Sequence, residues 1–290
     1  MVLQYRNELS DQLTKLLDVS SEISGARSVG GGSINSAYEF TFGNVKYFLK
    51  QNRKDEFPGM FKKETEGLRE LSKGITLVIP KLVLEAEIGD DQLLVLEYLE
   101  KIPASGAYSE KLGAGLASLH KIKAKEFGFE NDNYIGSLPQ SNRKHKRWDD
   151  FFSEERLGPL VKWCYDSRLL EKKYLLSFEN LSKKLNEIFP EEEPSLLHGD
   201  LWGGNAMNTT KGPSVYDPAV YYGHREMDIA MTQLFGGFDQ GFYEAYNNSF
   251  PLEKNYRQRT DICNLYPLLV HVKLFGASYL SDVLHTVKRF

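Results

Sequence analysis

Two cysteines in 290 residues, Cys164 and Cys263, are too few and too far apart for a disulfide framework, and neither has a second ligand at metal-binding spacing. A cystine-stapled secreted domain and a zinc-ribbon domain are thereby excluded. Long apolar runs are also missing. No uninterrupted stretch approaches the roughly 20 residues that span a bilayer, and the start, MVLQYRNELSDQL, lacks the apolar core of a signal peptide. The chain is therefore expected in the cytoplasm, without a membrane partner. Nor does one sign of charge prevail: 36 Lys and Arg against 40 Asp and Glu give a net charge of −4, which leaves no dominant basic footprint for nucleic acid. With 41% hydrophobic and 26% charged residues the composition is that of a globular protein, and the length suffices for two packed lobes. The Walker A ending Gly-Lys-Ser/Thr is absent as well, which sets aside the P-loop route to nucleotides.

What the chain does contain is HGDLWGGN at 198–205, followed by Asp217 in VYDPAVYYGHREMDIAM. A candidate base, an asparagine four intervening residues later and an aspartate beyond the next strand is the spacing of kinase catalytic loops. Asp200 can accept the proton of an attacking hydroxyl, while Asn205 and Asp217 offer hard oxygen ligands to Mg²⁺ on nucleotide phosphates. Taken alone, Asp200 beside glycines reads as a turn or capping residue. Its company gives it the catalytic reading.

Upstream, 4–20 places Leu9, Leu13, Leu16 and Leu17 at helical spacing, a face for burial. The run 28–51, with Gly30, Gly31 and Gly32 between strand-like segments and a turn at Gly43-Asn44, reads as a hairpin with a glycine-rich bend. A dinucleotide-binding GxGxxG must open a helix, and these glycines do not. Gly31, Gly32 and Ser33 are the candidate phosphate loop, with a plain flexible turn as the alternative. Lys50 ends VKYFL, where it can reach inward to phosphates or stand as a surface lysine. A helix over 60–72 offers Glu64 to hold it; Glu66 competes but points away from the face of Phe61, Leu68 and Leu71. Strands at 81–86 and 92–99 complete a five-stranded antiparallel sheet, and Glu97, Tyr98 and Leu99 follow as a hinge whose backbone can meet an adenine or simply link two domains. The expected boundary divides a nucleotide-binding lobe, 1–98, from a catalytic and substrate lobe, 99–290.

The second lobe reads as mainly helical: 108–121 with Leu112, Leu116 and Leu119 on one face and a structural His120 at its end, a long polar helix over 165–189, and helices from 226 onward with a break at Gly236-Gly237. Trp148, Phe151 and Phe152 are expected to anchor a helix to the core. The run RKHKR at 143–147 reads as a solvated loop, with an anionic partner as the alternative. Asp228 is assigned to structure, accepting backbone amides of the 198–200 loop, and His198 to orienting that loop. Trp202 has two readings, a core tryptophan or an aromatic surface for the acceptor.

HGDLWGGN, the block DPAVYYGHREMDIAMTQLFGGF, GGGSINSAYEF, FGFENDNYIGSLPQSN and LYPLLVHVKLFGASYL together resemble the fructosamine kinase (ketosamine 3-kinase) family over nearly the whole chain. The His-Gly-Asp loop is shared with aminoglycoside and choline kinases; Trp202 with its two glycines and the Asp217 block are more specific. The resemblance implies an α+β, bilobal protein-kinase-like fold and ATP- and Mg²⁺-dependent phosphorylation of the 3-hydroxyl of a ketosamine or glycated amine. Asp200 would be the base, Asn205 and Asp217 the metal ligands, and Lys50 and Glu64 the phosphate-positioning pair. Two positions depart from it. Ser33 stands where some relatives have cysteine, and the basic 143–147 run replaces a more neutral loop, which weighs against a polycationic aminoglycoside acceptor. A kinase of another hydroxyl compound, or a nucleotide-binding pseudokinase, are the alternatives.

Overall fold

The computed structural model describes residues 5–30, 34–74, 76–104 and 106–290. Helix α1 (Arg6–Leu17) leads into strands β1 (Ile23–Ser28), β2 (Ser36–Phe42) and β3 (Val45–Arg53), then helix α2 (Met60–Leu71) and strands β4 (Leu82–Ile88) and β5 (Asp91–Glu97). The strands form one antiparallel sheet in the order β1-β2-β3-β5-β4. Pleating sorts the side chains of β3. Tyr47 and Leu49 pack with Leu9 and Leu13 of α1, while Phe48 and Lys50 face the opposite side. Leu16, grouped with those leucines by spacing, is 52% exposed: a shared helical face does not ensure that a neighbour covers the last turn. Lys50 is also not the end of its strand. It pairs with Ala37 on one side and Leu94 on the other, and β3 runs three residues further, because Gln51, Asn52 and Arg53 keep partners on β5.

The amphipathic face of α2 buries Met60, Phe61, Leu68 and Leu71. These side chains do not close a core of the sheet alone. One continuous cluster joins them to Leu94 and Leu96 of β5, to Leu112 and Leu116 of α3 (Gly106–His120), and to Val215 and Val220 near the candidate loop. The helix carrying Glu64 is therefore cemented to both the sheet lobe and the helical lobe.

Beyond α3, strands β6 (Asn133–Ile135) and β7 (Leu138–Gln140) make a short hairpin. Helix α4 (Trp148–Phe151) passes through a π-helical turn, Phe152–Leu157, into α5 (Gly158–Asp166). Trp148 stacks on Phe152 with centroids 5.1 Å apart, as the anchoring role requires. The helix expected over 165–189 is instead two elements, α5 and α6 (Lys172–Ile188). Arg168 adopts φ +60°, and the Leu169 N–H bonds the Cys164 carbonyl at 2.8 Å, which closes α5 and lets Leu170 turn into the core. Strands β8 (Ser195–Leu197), β9 (Ala206–Thr209), β10 (Gly212–Val215) and β11 (Tyr221–Gly223) flank the candidate loops, and α7 (Glu226–Leu234), α8 (Gln240–Ser249), α9 (Tyr256–Phe275) and α10 (Leu280–Val287) complete the chain. Among the described residues no helix is long and apolar enough to cross a membrane.

Candidate active site

Strand β8 ends at Leu197, and its antiparallel pairing with β11 brings 198–200 beside 217–219. Two backbone contacts close the gap: the Ala219 N–H donates to the His198 carbonyl at 2.9 Å, and the Tyr216 N–H to the Asn205 carbonyl at 3.1 Å. The approach is so close that a Cβ on Gly199, at φ +82°, would stand 2.0 Å from the Ala219 carbonyl oxygen. Only glycine fits there. Asp217 itself sits at φ +56°, a left-handed conformation that costs a non-glycine residue about 1 kcal/mol.

Asp228, near the start of α7, holds the loop. Its two carboxylate oxygens accept the backbone N–H of His198 at 2.8 Å and of Gly199 at 2.9 Å. Bonds from neutral donors to a buried carboxylate contribute about 1.5–3 kcal/mol each. His120, fully buried at the end of α3, places Nε2 3.1 Å from Asp228 and Nδ1 2.8 Å from the Tyr246 hydroxyl. Burial raises the cost of ionising Asp228, yet His120, His198 and the backbone amides outweigh it and hold the carboxyl below its usual range. The expected structural roles of Asp228 and His120 are what the geometry displays, although His120 satisfies side chains rather than a backbone group. His198 donates from Nε2 to the Tyr216 carbonyl at 3.0 Å, while its Nδ1 accepts the Asp200 N–H at 3.3 Å.

The candidate groups converge in one cleft of about 920 Å³. Lys50, Glu64, Glu97, Tyr98, Leu99, Asp200, Trp202, Asn205 and Asp217 all line it. Lys50 Nζ lies 2.7 Å from Glu64 Oε1 and is paired as well with Asp217. Burial alone would lower the pKa of Lys50, but the fields of Asp217 and Glu64 more than reverse this and it is raised. Glu66, the competing carboxylate, instead accepts from Asn131 at 3.0 Å. Burial, with Asp217 nearby, pushes Asp200 up to about 7. Asn205 Nδ2 donates to the Asp200 carbonyl at 2.9 Å and to its carboxylate at 3.2 Å. That orientation leaves the Asn205 Oδ1 as the atom presented for a cation, next to Asp217: a hard-oxygen set that fits Mg²⁺.

Trp202 is 39% exposed, so the core reading of this tryptophan fails. Its ring lies over Gly204, where a Cβ would stand 2.2 Å from Cη2. At the other end, Glu97 pairs with Lys211, Lys46 rides over the Tyr98 ring at 5.3 Å, and the chain after the hinge is braced by the Ile102 N–H on the Asn208 carbonyl at 2.9 Å. Gly31, Gly32 and Ser33 lie outside the described residues.

Sequence reasoning missed the buttress behind Asp217. Asn133 of β6 donates to the Val220 carbonyl at 2.7 Å and Gln140 of β7 to the Ala219 carbonyl at 3.2 Å, so the motif FENDNYIGSLPQSN supports the loop from below. The tie between Tyr222 and Glu70 at 2.8 Å, which pins α2 to the strand after Asp217, was also missed. Periodicity cannot reveal either; the asparagine- and glutamine-rich composition of that hairpin was the available signal. The basic run falls away from the cleft. Arg143 pairs with Glu154 and Glu155 at 3.2 and 2.7 Å, His145 with Glu155 at 2.8 Å, Lys144 with Glu130 and Arg147 with Asp149, so four of its five side chains find local partners outside the cleft.

A bilobal, protein-kinase-like phosphotransferase is the class these features define. The solved aminoglycoside phosphotransferase APH(4)-Ia superposes with a TM-score of 0.62 over 97% of both chains at 14% identity, a likeness of fold alone. The chain belongs to the fructosamine kinase family, whose sequence model matches residues 5–290. It is 39% identical over 287 residues, 97% of each chain, to a Vibrio parahaemolyticus protein assigned as a ketoamine kinase. A chloroplastic protein-ribulosamine 3-kinase of Arabidopsis thaliana is 36% identical over 276 residues, covering 92% of this chain and 83% of the relative. The structure of a Thermobifida fusca protein assigned as a fructosamine-3-kinase matches with a TM-score of 0.87 at 30% identity, over 97% and 98% of the two chains. By this membership the chain is an ATP-dependent phosphotransferase.

Proposed function

We propose that the protein transfers the γ-phosphoryl group of ATP to the 3-hydroxyl of a ketosamine, a ribulosamine or fructosamine adduct of low molecular weight. The observation that supports this most directly is the meeting, in one cleft, of the Lys50–Glu64 pair with Asp217 and with the buried Asp200–Asn205 pair. Asp200 takes the proton as the hydroxyl oxygen attacks the γ-phosphorus. The bond from that phosphorus to the β,γ-bridging oxygen breaks, and ADP leaves. A carboxyl with its pKa near the working pH suits that task. Lys50, steadied by Glu64, holds phosphate oxygens, and Gly31, Gly32 and Ser33 are the proposed phosphate loop. Asn205 and Asp217 would hold Mg²⁺, which supplies neutralising charge to the phosphates when bound. The backbone of Glu97, Tyr98 and Leu99 receives the adenine, which makes the boundary between lobes 1–98 and 99–290 the hinge of the nucleotide site. Trp202 offers its face to the acceptor.

The acceptor is inferred from the relatives' assignments together with the aromatic, mildly acidic cleft. ATP consumption measured across ribulosamine, fructosamine, kanamycin-like and choline acceptors tests it, with the product's phosphate located by ³¹P–¹H correlation. Phosphorylation of a ketosamine at O3 is expected. Turnover of aminoglycosides or choline with none of any ketosamine contradicts the proposal.

A further inference from the structure

Single exposed apolar side chains are ordinary, but a contiguous group of them at a cleft is a binding surface until shown otherwise. Three of the exposed large hydrophobic side chains, Trp202 (39%), Phe235 (39%) and Phe275 (54%), line the same cleft as Asp200. They form a row. Trp202 meets Phe235 edge-on with centroids 6.5 Å apart, Phe235 lies 4.7 Å from the His271 ring, and His271 lies 5.3 Å from Phe275 at the end of α9. His271 belongs to the row as an uncharged ring. Its Nδ1 donates to the Pro267 carbonyl at 2.7 Å, and burial lowers its pKa, so Nε2 carries the lone pair. The row starts two residues from the base, on a loop whose glycine at 204 lets the tryptophan ring lie flat.

The occupant follows from the chemistry of the acceptor, and so rests on the reading above. A ketosamine carries its amine on C1, two carbons from the hydroxyl that Asp200 would deprotonate. Whatever is attached to that nitrogen must therefore leave the reacting centre within a few bonds of Trp202. π faces tolerate the protonated amine. They gain free energy from an apolar or aromatic substituent by removing its surface from water, and gain nothing comparable from a carboxylate or hydroxyl group. We infer that Trp202, Phe235, His271 and Phe275 form the subsite for the substituent on the acceptor's amine, and that this subsite selects apolar and aromatic amines over small or carboxylate-bearing ones.

A series of ribulosamine or fructosamine adducts of methylamine, glycine, hexylamine and benzylamine, assayed at saturating Mg-ATP, reads this directly. The hexyl and benzyl adducts are expected to exceed the methyl adduct in kcat/KM by about tenfold, the lower end of what an apolar pocket discriminates. Phe275→Ala, at an exposed position where folding is not at stake, should lower that benzyl-to-methyl ratio about fivefold through the acceptor KM, and Phe275→Leu should restore most of it. A flat series with good turnover overturns the inference while leaving the ketosamine reading intact. A ratio unchanged in Phe275→Ala and in the Phe235→Ala, Phe275→Ala double variant overturns it too. Absence of turnover with every adduct overturns both.

Discussion

The ammonium of Lys50, in the interior of β3, is paired directly with the carboxylate of Asp217, 167 residues further along the chain. One side chain of the sheet lobe thus holds two carboxylates, Glu64 and Asp217, before any nucleotide arrives. If the three act as a unit, their losses are not additive. Lys50→Ala and Glu64→Ala should each weaken Mg-ATP binding, the glutamate less, and the double variant should lose little more than Lys50→Ala alone. Calorimetric titration of the four proteins checks this. A double loss equal to the sum of the single losses in free energy means the groups act separately.

Asp228→Asn tests the support of the loop without touching the cleft. The amide can accept one of the two N–H groups of His198 and Gly199 but presents an N–H to the other. A loss of about 2 kcal/mol in urea unfolding is expected, with kcat reduced and Mg-ATP affinity little changed. Unaltered stability would show that these bonds do not hold the loop.

Gly204→Ala should move the tryptophan, because the added Cβ overlaps the Trp202 ring. The acceptor KM is expected to rise about tenfold, since a displacement near 1 Å at a positioning surface costs that much or more, while the ATP KM stays near its original value. Equal effects on the two substrates would place Trp202 outside the acceptor site.

Much of this arrangement was legible where it rests on local pattern. The inward-reaching reading of Lys50 held although its strand runs on past it, helical spacing chose Glu64 over Glu66, and Asp200, Asn205 and Asp217, grouped by spacing, line one cleft. What escaped was set by tertiary neighbours. Nothing near Lys50 announces Asp217 as a partner, nothing in 165–189 announces the left-handed Arg168, and Arg143, Lys144 and Arg147 are paired with carboxylates that the run itself does not contain. His120 looked like the polar end of an apolar helix. Only the packing of α3 against α8 and α7 shows that it grips Asp228 and Tyr246.

Acid stability follows from the buried imidazoles. Burial lowers the pKa of His120 and His198, and brings His224 down to about 4. These groups bind fewer protons folded than unfolded, so their contribution is intact above about pH 6.5, the value in the unfolded chain, and is lost as pH falls toward the folded pKa. For His224 the loss by about pH 5.5 is about 1 kcal/mol. Urea unfolding of wild type and His224→Gln at neutral and mildly acid pH reads it: the wild type should lose stability on acidification, and the variant less. Identical pH slopes would show that His224 is not kept neutral by the fold.

The most direct test of the central claim is turnover of Asp200→Asn alongside its affinity for Mg-ATP. The amide cannot take the acceptor's proton, so ketosamine phosphorylation should fall by at least about 100-fold, while nucleotide binding, proposed to rest on Lys50, Asn205 and Asp217, should persist. Turnover retained within about tenfold of wild type, on the same scale for a general base, would contradict the assignment of Asp200 as the group that receives the proton.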